Sequence, residues 1–207
     1  RLVEHASKIQ KGRLLDYGTG TGYFPHTMHQ RGWEVKAIEK SAQAREFALK
    51  NFHLEVEAEE ALSTYPEGSF DVITLWHGME RLEHLNGMWQ TPNRLLADRG
   101  VLIVAVPNPT SKDAEKYQAW WAAYDVPRHL WHFTPSVMQQ FGTKHGFVLE
   151  GEHPMPFDAF YVSMLTEKYK GARCSFLKGL WTGMFAWFSS LAKKERSSSM
   201  IYVFRKK

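Results

Sequence analysis

With 207 residues, of which 43% are hydrophobic, the chain can bury one good core and is too short to favour several domains. Its net charge of +4 and isoelectric point near 9.1 are mildly basic, with Lys and Arg spread along the chain except near the C-terminus, which gives no reason to invoke nucleic acid. A single cysteine, Cys174, excludes an internal disulfide framework and suits a reducing compartment. No signal peptide and no run of about eighteen apolar residues is present, so a cytoplasmic protein is expected. The chain opens at Arg1 without a methionine and close to its first strand, which leaves room for a missing upstream segment.

Leu2 to Ile9 reads as a helix beside a sheet, and Arg13 to Asp16 as a buried strand that opens into Gly18, Gly20 and Gly22. Thr21 to Gln30 is the next helix, with Gly32 as its stop. A glycine-rich turn between a strand and a helix N-terminus is a nucleotide cradle, because unpaired amides and the helix dipole favour a polar or anionic group. The spacing here is G-x-G-x-G rather than the dinucleotide G-x-G-x-x-G, and Asp16 precedes it. A carboxylate at the strand tip repels a diphosphate but can pair with an ammonium group. Trp33 to Lys40 alternates like a strand and ends in Glu39, seventeen residues after Gly22, near the spacing at which an acid takes ribose hydroxyls; the alternative is an ordinary solvated glutamate. Ser41 caps a helix from Ala42 to Phe52, and Leu54 to Val56 follows as a short strand. This is a βαβαβ pattern and predicts a parallel sheet with helices on both faces.

Phe70 to Trp76 is a fourth strand after the turn residues Pro66, Gly68 and Ser69, and Leu85 to Asp98 a helix closed by Gly100. Val101 to Val106 is apolar on both faces and therefore central, and Pro107-Asn108-Pro109 breaks the regular structure. Thr134-Pro135 starts a helix to about His145, followed by strands at Phe147 to Glu150 and Met200 to Phe204. No internal repeat or low-complexity segment is visible.

The Asp16/Gly18-Thr19-Gly20-Thr21-Gly22 element, Phe70-Asp71-Val72-Ile73 with His77 after it, and Arg99-Gly100 before the fifth strand resemble the class I S-adenosylmethionine (SAM)-dependent methyltransferases, and more narrowly the ubiquinone-biosynthesis-type O-methyltransferase branch. The resemblance implies an α/β, Rossmann-like sheet of seven strands, mostly parallel, with helices on both faces and an antiparallel last strand. It implies a single domain over 1–207 with a helical cover at about 154–196, SAM as cofactor and S-adenosylhomocysteine as product. Asp16, Gly18, Thr19, Gly20, Gly22, Glu39, Lys40 and Trp76 would then surround the cofactor. Glu57 would accept from the adenine amino group, and Ala58 would meet the ring through its backbone; the alternative for Glu57 and Glu59 is a solvated acidic turn.

Methyl transfer to oxygen or nitrogen needs collinear alignment and somewhere for a proton to go, and histidine suits the second need near neutral pH. His77, at the end of the fourth strand, is the first candidate and His129 the second; the alternative for His77 is a neutral residue bridging two loops. In quinone-type relatives a Glu-x-x-Glu-His run here holds a divalent metal, but this chain reads His77-Gly78-Met79-Glu80-Arg81, so no metal is expected. Asp125 to Phe133 resembles the segment that covers the acceptor pocket in the same branch. Together with Asn108 it supplies the acceptor-side candidates Tyr124, Arg128, His129, Trp131 and His132, against the alternative that the aromatics of this region pack on the sheet. A zinc site at His129 and His132 is disfavoured, since no cysteine or second ligand pair lies nearby.

Phe176 to Phe188 repeats apolar residues at helical spacing, flanked by Lys168, Lys170, Arg173, Lys193, Lys194 and Arg196. A lid or homodimer helix over the active site is the favoured reading, and peripheral membrane contact the other; the Gly179/Gly183 spacing is a weak sign of close helix packing. The expected function is SAM-dependent methylation, on oxygen, of a small or lipid-like acceptor, with no nucleic-acid partner. The rivals are a catalytically silent SAM-binding module and an NAD-dependent oxidoreductase, and Asp16 with G-x-G-x-G speaks against the latter.

Overall fold

In the computed structural model, which describes residues 1–172 and 174–207, strands and helices alternate for most of the chain. In order they are α1 (Leu2–Ser7), β1 (Arg13–Tyr17), α2 (Tyr23–Gln30), β2 (Glu34–Ile38), α3 (Ala42–Phe52), β3 (Phe70–Trp76), α4 (Leu85–Leu95), β4 (Leu96–Pro107), α5 (Lys112–Tyr117), α6 (Pro135–Lys144), β5 (Phe147–Pro154), α7 (Asp158–Tyr169), α8 (Ser175–Ala192) and β6 (Ser199–Lys206). Arg173, one of the basic residues flanking the 176–188 stripe, lies outside the described residues.

The strands form one sheet in the order β2-β1-β3-β4-β6-β5. β1 to β4 pair in parallel and β6 is antiparallel to both β4 and β5, so the last strand is the reversed one. Alternate residues of the central strands face opposite ways. Leu15, Ile73, Leu102 and Phe204 pack under Trp89 and Met138 on one face, while Leu14, Val72, Ile103 and Val203 pack with Val3, Met28 and Trp33 on the other. Burial on both faces is why these strands read as unbroken apolar runs. The chain steps outward from β1 to β2, then crosses back past β1 to β3. The strand order reverses there, and the carboxyl ends of β1 and β3 open a crevice.

The expected caps form: Ser41 Oγ accepts from the Ala44 amide and Thr134 Oγ1 from the Val137 amide. Two expectations change. The sheet has six strands rather than seven among the described residues, because Leu54 to Val56 makes no ladder. The edge of β2 is met only by the neighbouring Glu57, whose amide donates to Ala37 O (2.9 Å) and whose carbonyl accepts from the Glu39 amide (3.0 Å), before the chain turns into a 3₁₀ segment at Glu59–Ser63. The second change is at α4, which stops at Leu95 instead of Asp98. Leu96 is fully buried in extended conformation opposite Phe70, so core packing starts β4 early, and the ladder slips before Val101 meets Val72.

Candidate functional site

The crevice widens into a cavity of about 650 Å³, a size suited to a small ligand. Tyr17, Gly18, Glu39, Lys40 and Glu59 line it from the glycine-loop end; His77, Arg81, Leu82, His84 and Met88 line it from the segment after β3, with Gly78 next to Gly18 between the two.

The first end is built locally. Gly18 and Gly20 have φ of 77° and 60°, in the left-handed region open to glycine, and a Cβ on Gly20 would meet no protein atom within 4 Å. A side chain at 20 would therefore meet open space, and Gly18 is the loop glycine that lines the cavity. Gly22 serves packing instead, since its Cβ would come within 2.9 Å of Ala48 Cβ. Glu39 turns its carboxylate to the loop: Oε2 accepts from the Gly20 amide at 2.8 Å and Oε1 from the Ser41 amide at 2.9 Å. Lys40 pairs with Glu83 at 3.4 Å, and both residues line the cavity.

Asp16 stands apart from these. It is 1% exposed, does not line the cavity, and accepts a hydrogen bond from Thr74 Oγ1 at 2.6 Å; burial pushes its carboxyl up to about 6. Glu57 is held by the Tyr65 hydroxyl (2.7 Å) and Lys36 Nζ (3.1 Å) and also does not line the cavity. The acid that lines it there is Glu59, which accepts a short hydrogen bond from the Tyr17 hydroxyl. Ala58 immediately precedes the 3₁₀ turn, and Thr19 sits in the loop with its amide on Ile38 O. Trp76 packs edge-on against Phe24 of α2, in the cluster on the far face of the sheet.

The second end is assembled from three distant segments. At the tip of β3, His77 adopts φ 53° while its amide donates to Ala105 O, a strained conformation that surrounding packing must hold. The turn Met79–Arg81 follows, drawn inward by the fully buried Met79. It carries Glu80, which is 1% exposed with neither carboxylate oxygen hydrogen-bonded. His77 Nδ1 stands 3.9 Å from Glu80 Oε1 and His129 Nε2 stands 3.7 Å from the same atom. His129 Nδ1 donates to Ala123 O at 2.9 Å, which leaves Nε2 towards Glu80, 3.8 Å from Asp125 Oδ2. From α7, Asp158 Oδ2 reaches within 3.4 Å of His77 Nε2.

Burial opposes the charged form of His77, but Asp158 and Glu80 outweigh it and hold the imidazole above its ordinary pKa. Burial likewise raises the Glu80 carboxyl, partly offset by the two histidines. Backbone bonds lock the arrangement, since the Leu130 and Trp131 amides both donate to Glu80 O, and Trp131 Nε1 donates to Leu82 O at 2.7 Å.

Of the remaining acceptor-side candidates, Arg128 is well exposed, near Asp125. Tyr124 stacks edge-on with His132 and accepts from His132 Nε2 through its carbonyl. Asn108 is fully buried and clamps the chain before β6: its Nδ2 donates to Glu195 O and Ser197 O, and its Oδ1 accepts from Thr110. Tyr117, Trp121 and Ala122 form a small core with Val162 of α7, so much of the aromatic density before Asp125 is packing. Sequence reasoning assigned no role to Glu80, Asp158 or Thr74. Glu80 carried a signal, a lone acid within the departure from the metal motif; Asp158 and Thr74 carried none.

The glycine loop and Glu39 thus sit at the strand-order switch, at the carboxyl ends of β1 and β2. Residues 1–151 match the family model described as "Methyltransferase domain", and the chain belongs to that family. No curated protein matches it in sequence. Solved structures share the fold at low identity. A SAM-dependent methyltransferase from Thermotoga maritima is 17% identical, the match covering 100% of this chain and 89% of that one, with a TM-score of 0.64. Phosphoethanolamine N-methyltransferase 2 from Haemonchus contortus, solved with SAM, is 16% identical over 98% of this chain and 50% of that one, TM-score 0.64. Geranyl diphosphate C-methyltransferase from Streptomyces coelicolor A3(2), solved with Mg²⁺, geranyl diphosphate and S-adenosylhomocysteine, is 13% identical over 95% and 74%, TM-score 0.60. The family's cofactor is SAM, and the residues present fit it: the backbone of Gly18 and the Glu39 carboxylate line one cavity, and that carboxylate is held by the Gly20 amide.

Proposed function

We propose that the protein methylates oxygen on a small acceptor with an apolar or lipid-like body, that His77 takes the acceptor's proton, and that no divalent metal takes part. One juxtaposition carries the reading: the glycine loop with Glu39 faces the same cavity as His77, and His77 is backed by buried Glu80 and by His129. When bound, SAM supplies an electrophilic methyl group on a sulfonium. Glu39 holds the ribose hydroxyls, and Tyr17 with Glu59 gives the polar wall beside the base. The acceptor's hydroxyl proton would pass to His77 as the methyl group leaves sulfur for oxygen, and Glu80 and Asp158 would stabilise the imidazolium. The acceptor would lie beside His77, Leu82, His84 and Met88, which line the cavity, with Asp158 of α7 behind His77; Tyr124, Arg128, Trp131 and His132 do not line it.

The relatives' names cover nitrogen and carbon acceptors, and a base serves oxygen and nitrogen alike, so the choice of oxygen rests on the sequence resemblance to the O-methyltransferase branch. Calorimetry should show SAM binding that Glu39→Ala weakens about tenfold or more, since it removes a charged hydrogen-bond acceptor. NAD should give no heat, and preference for NAD would overturn the cofactor. Methyl-labelled SAM is then offered with hydroxylated aromatic and prenylated acceptors. Binding without transfer to any of them favours a silent SAM-binding module, and turnover that EDTA abolishes and Mg²⁺ restores removes the metal-free mechanism.

A further inference from the structure

The large side chains of α8 point away from the protein. Its buried positions are Gly179, Thr182, Gly183, Ala186 and Ser190, and that narrow face lies on α7 and α5. A Cβ on Gly179 would come within 2.4 Å of Met164 Cα, and one on Gly183 within 2.7 Å of Phe160 Cα, so the backbones touch too closely for anything larger. At 3.6 residues per turn the opposite half of the helix is then outward. It carries Phe176, Leu177, Trp181, Phe185, Phe188 and Leu191, each between 58% and 67% exposed. No polar side chain interrupts that half, and Lys178 and Ser189 sit at its border. A contiguous aromatic face of this extent marks an interaction surface.

None of these residues lines the cavity beside His77, so the face stays clear of that cavity in this structure. Charge selects among the remaining occupants. Lys178 on α8 and Lys193 and Lys194 just after it are exposed, α8 contains no carboxylate, and of the two acids in 166–196 Glu167 is buried, leaving Glu195 exposed. A second copy would bring lysines against lysines, whereas an anionic lipid surface matches both the apolar face and its basic border. No helix among the described residues is long and apolar enough to cross a membrane, so α8 would lie along the surface rather than through it.

We propose that the outer face of α8 docks the protein on an anionic lipid bilayer, with Trp181, Phe185 and Phe188 in the headgroup boundary and the lysines on the phosphates. This inference does not depend on the methyltransferase reading. It gives that reading a geometry, because α7 packs against α8 while its Asp158 reaches His77.

The test is co-sedimentation of the full chain with vesicles of phosphatidylcholine alone or mixed with phosphatidylglycerol. Binding should favour the phosphatidylglycerol vesicles. Trp181→Ser, Phe185→Ser and Phe188→Ser combined should weaken it about tenfold or more, with SAM binding and helical circular dichroism unchanged. Lys193→Glu with Lys194→Glu should weaken binding to the anionic vesicles about fivefold per lysine and leave binding to neutral ones unaltered. This second variant keeps the test open if the first fails to fold. A protein that ignores both vesicle types, or binds them alike with no response to the lysine reversals, overturns the proposal. So does a dimer in sedimentation velocity that the serine variant dissolves while vesicles go unbound, which would make a second copy the occupant.

Discussion

The loop around Glu80 and the outer face of α8 depart from the usual burial pattern in opposite directions. Glu80 is an acid 1% exposed with no hydrogen-bond partner for its carboxylate, whereas Trp181 is an indole 67% exposed. Each is costly for a folded monomer alone, the first through desolvation of a charge and the second through apolar surface left in water. The difference lies in what surrounds them. Glu80 has two histidines within 4 Å and a turn pinned by backbone bonds from the 125–133 segment, so its site is complete within the chain. Trp181 borders a shallow hollow with Lys116 and Lys178 at the surface, and the lipid bilayer proposed above would cover it from outside.

Changes at the two regions should therefore differ in kind, and the largest effect belongs to the internal site. His77→Ala should lower turnover by roughly 10² to 10⁴, the range for a positioned base, while SAM affinity by calorimetry stays near wild type. A rate within a few-fold of wild type would show that His77 only bridges loops. Glu80→Gln keeps the shape and removes the charge that helps hold His77 above its ordinary pKa. Because a base works only when deprotonated, the acid limb of the rate profile should move to lower pH in this variant. An unmoved limb would separate Glu80 from the base.

Asp16 gives the next effect, in stability. Its carboxyl is pushed up to about 6 by burial, so the folded state holds a proton that the unfolded chain releases at lower pH. Stability from this residue is thus lost as pH rises from about 4 to about 6 and stays lost above that, on the order of 3 kcal/mol. Asp16→Asn can still accept from Thr74, and the wild-type-minus-variant difference in urea unfolding should follow that slope. A flat difference would mean that the carboxylate is solvated. Smallest is the contrast within α8 itself. Gly179→Val forces a side chain onto the α7 backbone and should cost about 1–3 kcal/mol, whereas Phe185→Ser on the outer face should change stability by less than about 0.5 kcal/mol. Equal costs from thermal unfolding would place Phe185 in the core.

The two ends of the cavity were unequally legible for the same reason. Gly18, Gly20 and Glu39 lie within 22 consecutive residues, and their roles follow from strand, turn and helix signals that act locally. The other end brings residue 77 to residue 158 and residue 80 to residue 129, and no local signal encodes those meetings. The seventh strand failed for a related reason: Leu54 to Val56 has a strand's composition, but the chain meets β2 only at Glu57, where a single bridge forms before the turn at Glu59.

What the sequence by itself determined is the alternating α/β order, the helix caps at Ser41 and Thr134, the apolar central strands and the glycine cradle, since each depends on backbone chemistry or periodicity over a few residues. Only the tertiary structure decided that Asp16 lies beneath the loop bonded to Thr74, that Glu59 rather than Glu57 lines the cavity, and that Asn108 is a clamp. The same holds for α8. Its apolar stripe was visible in the sequence, but whether that stripe faces in or out depends on which side α7 occupies. Because α7 approaches so closely that only glycines and other small residues fit between the helices, the aromatic side was left outward.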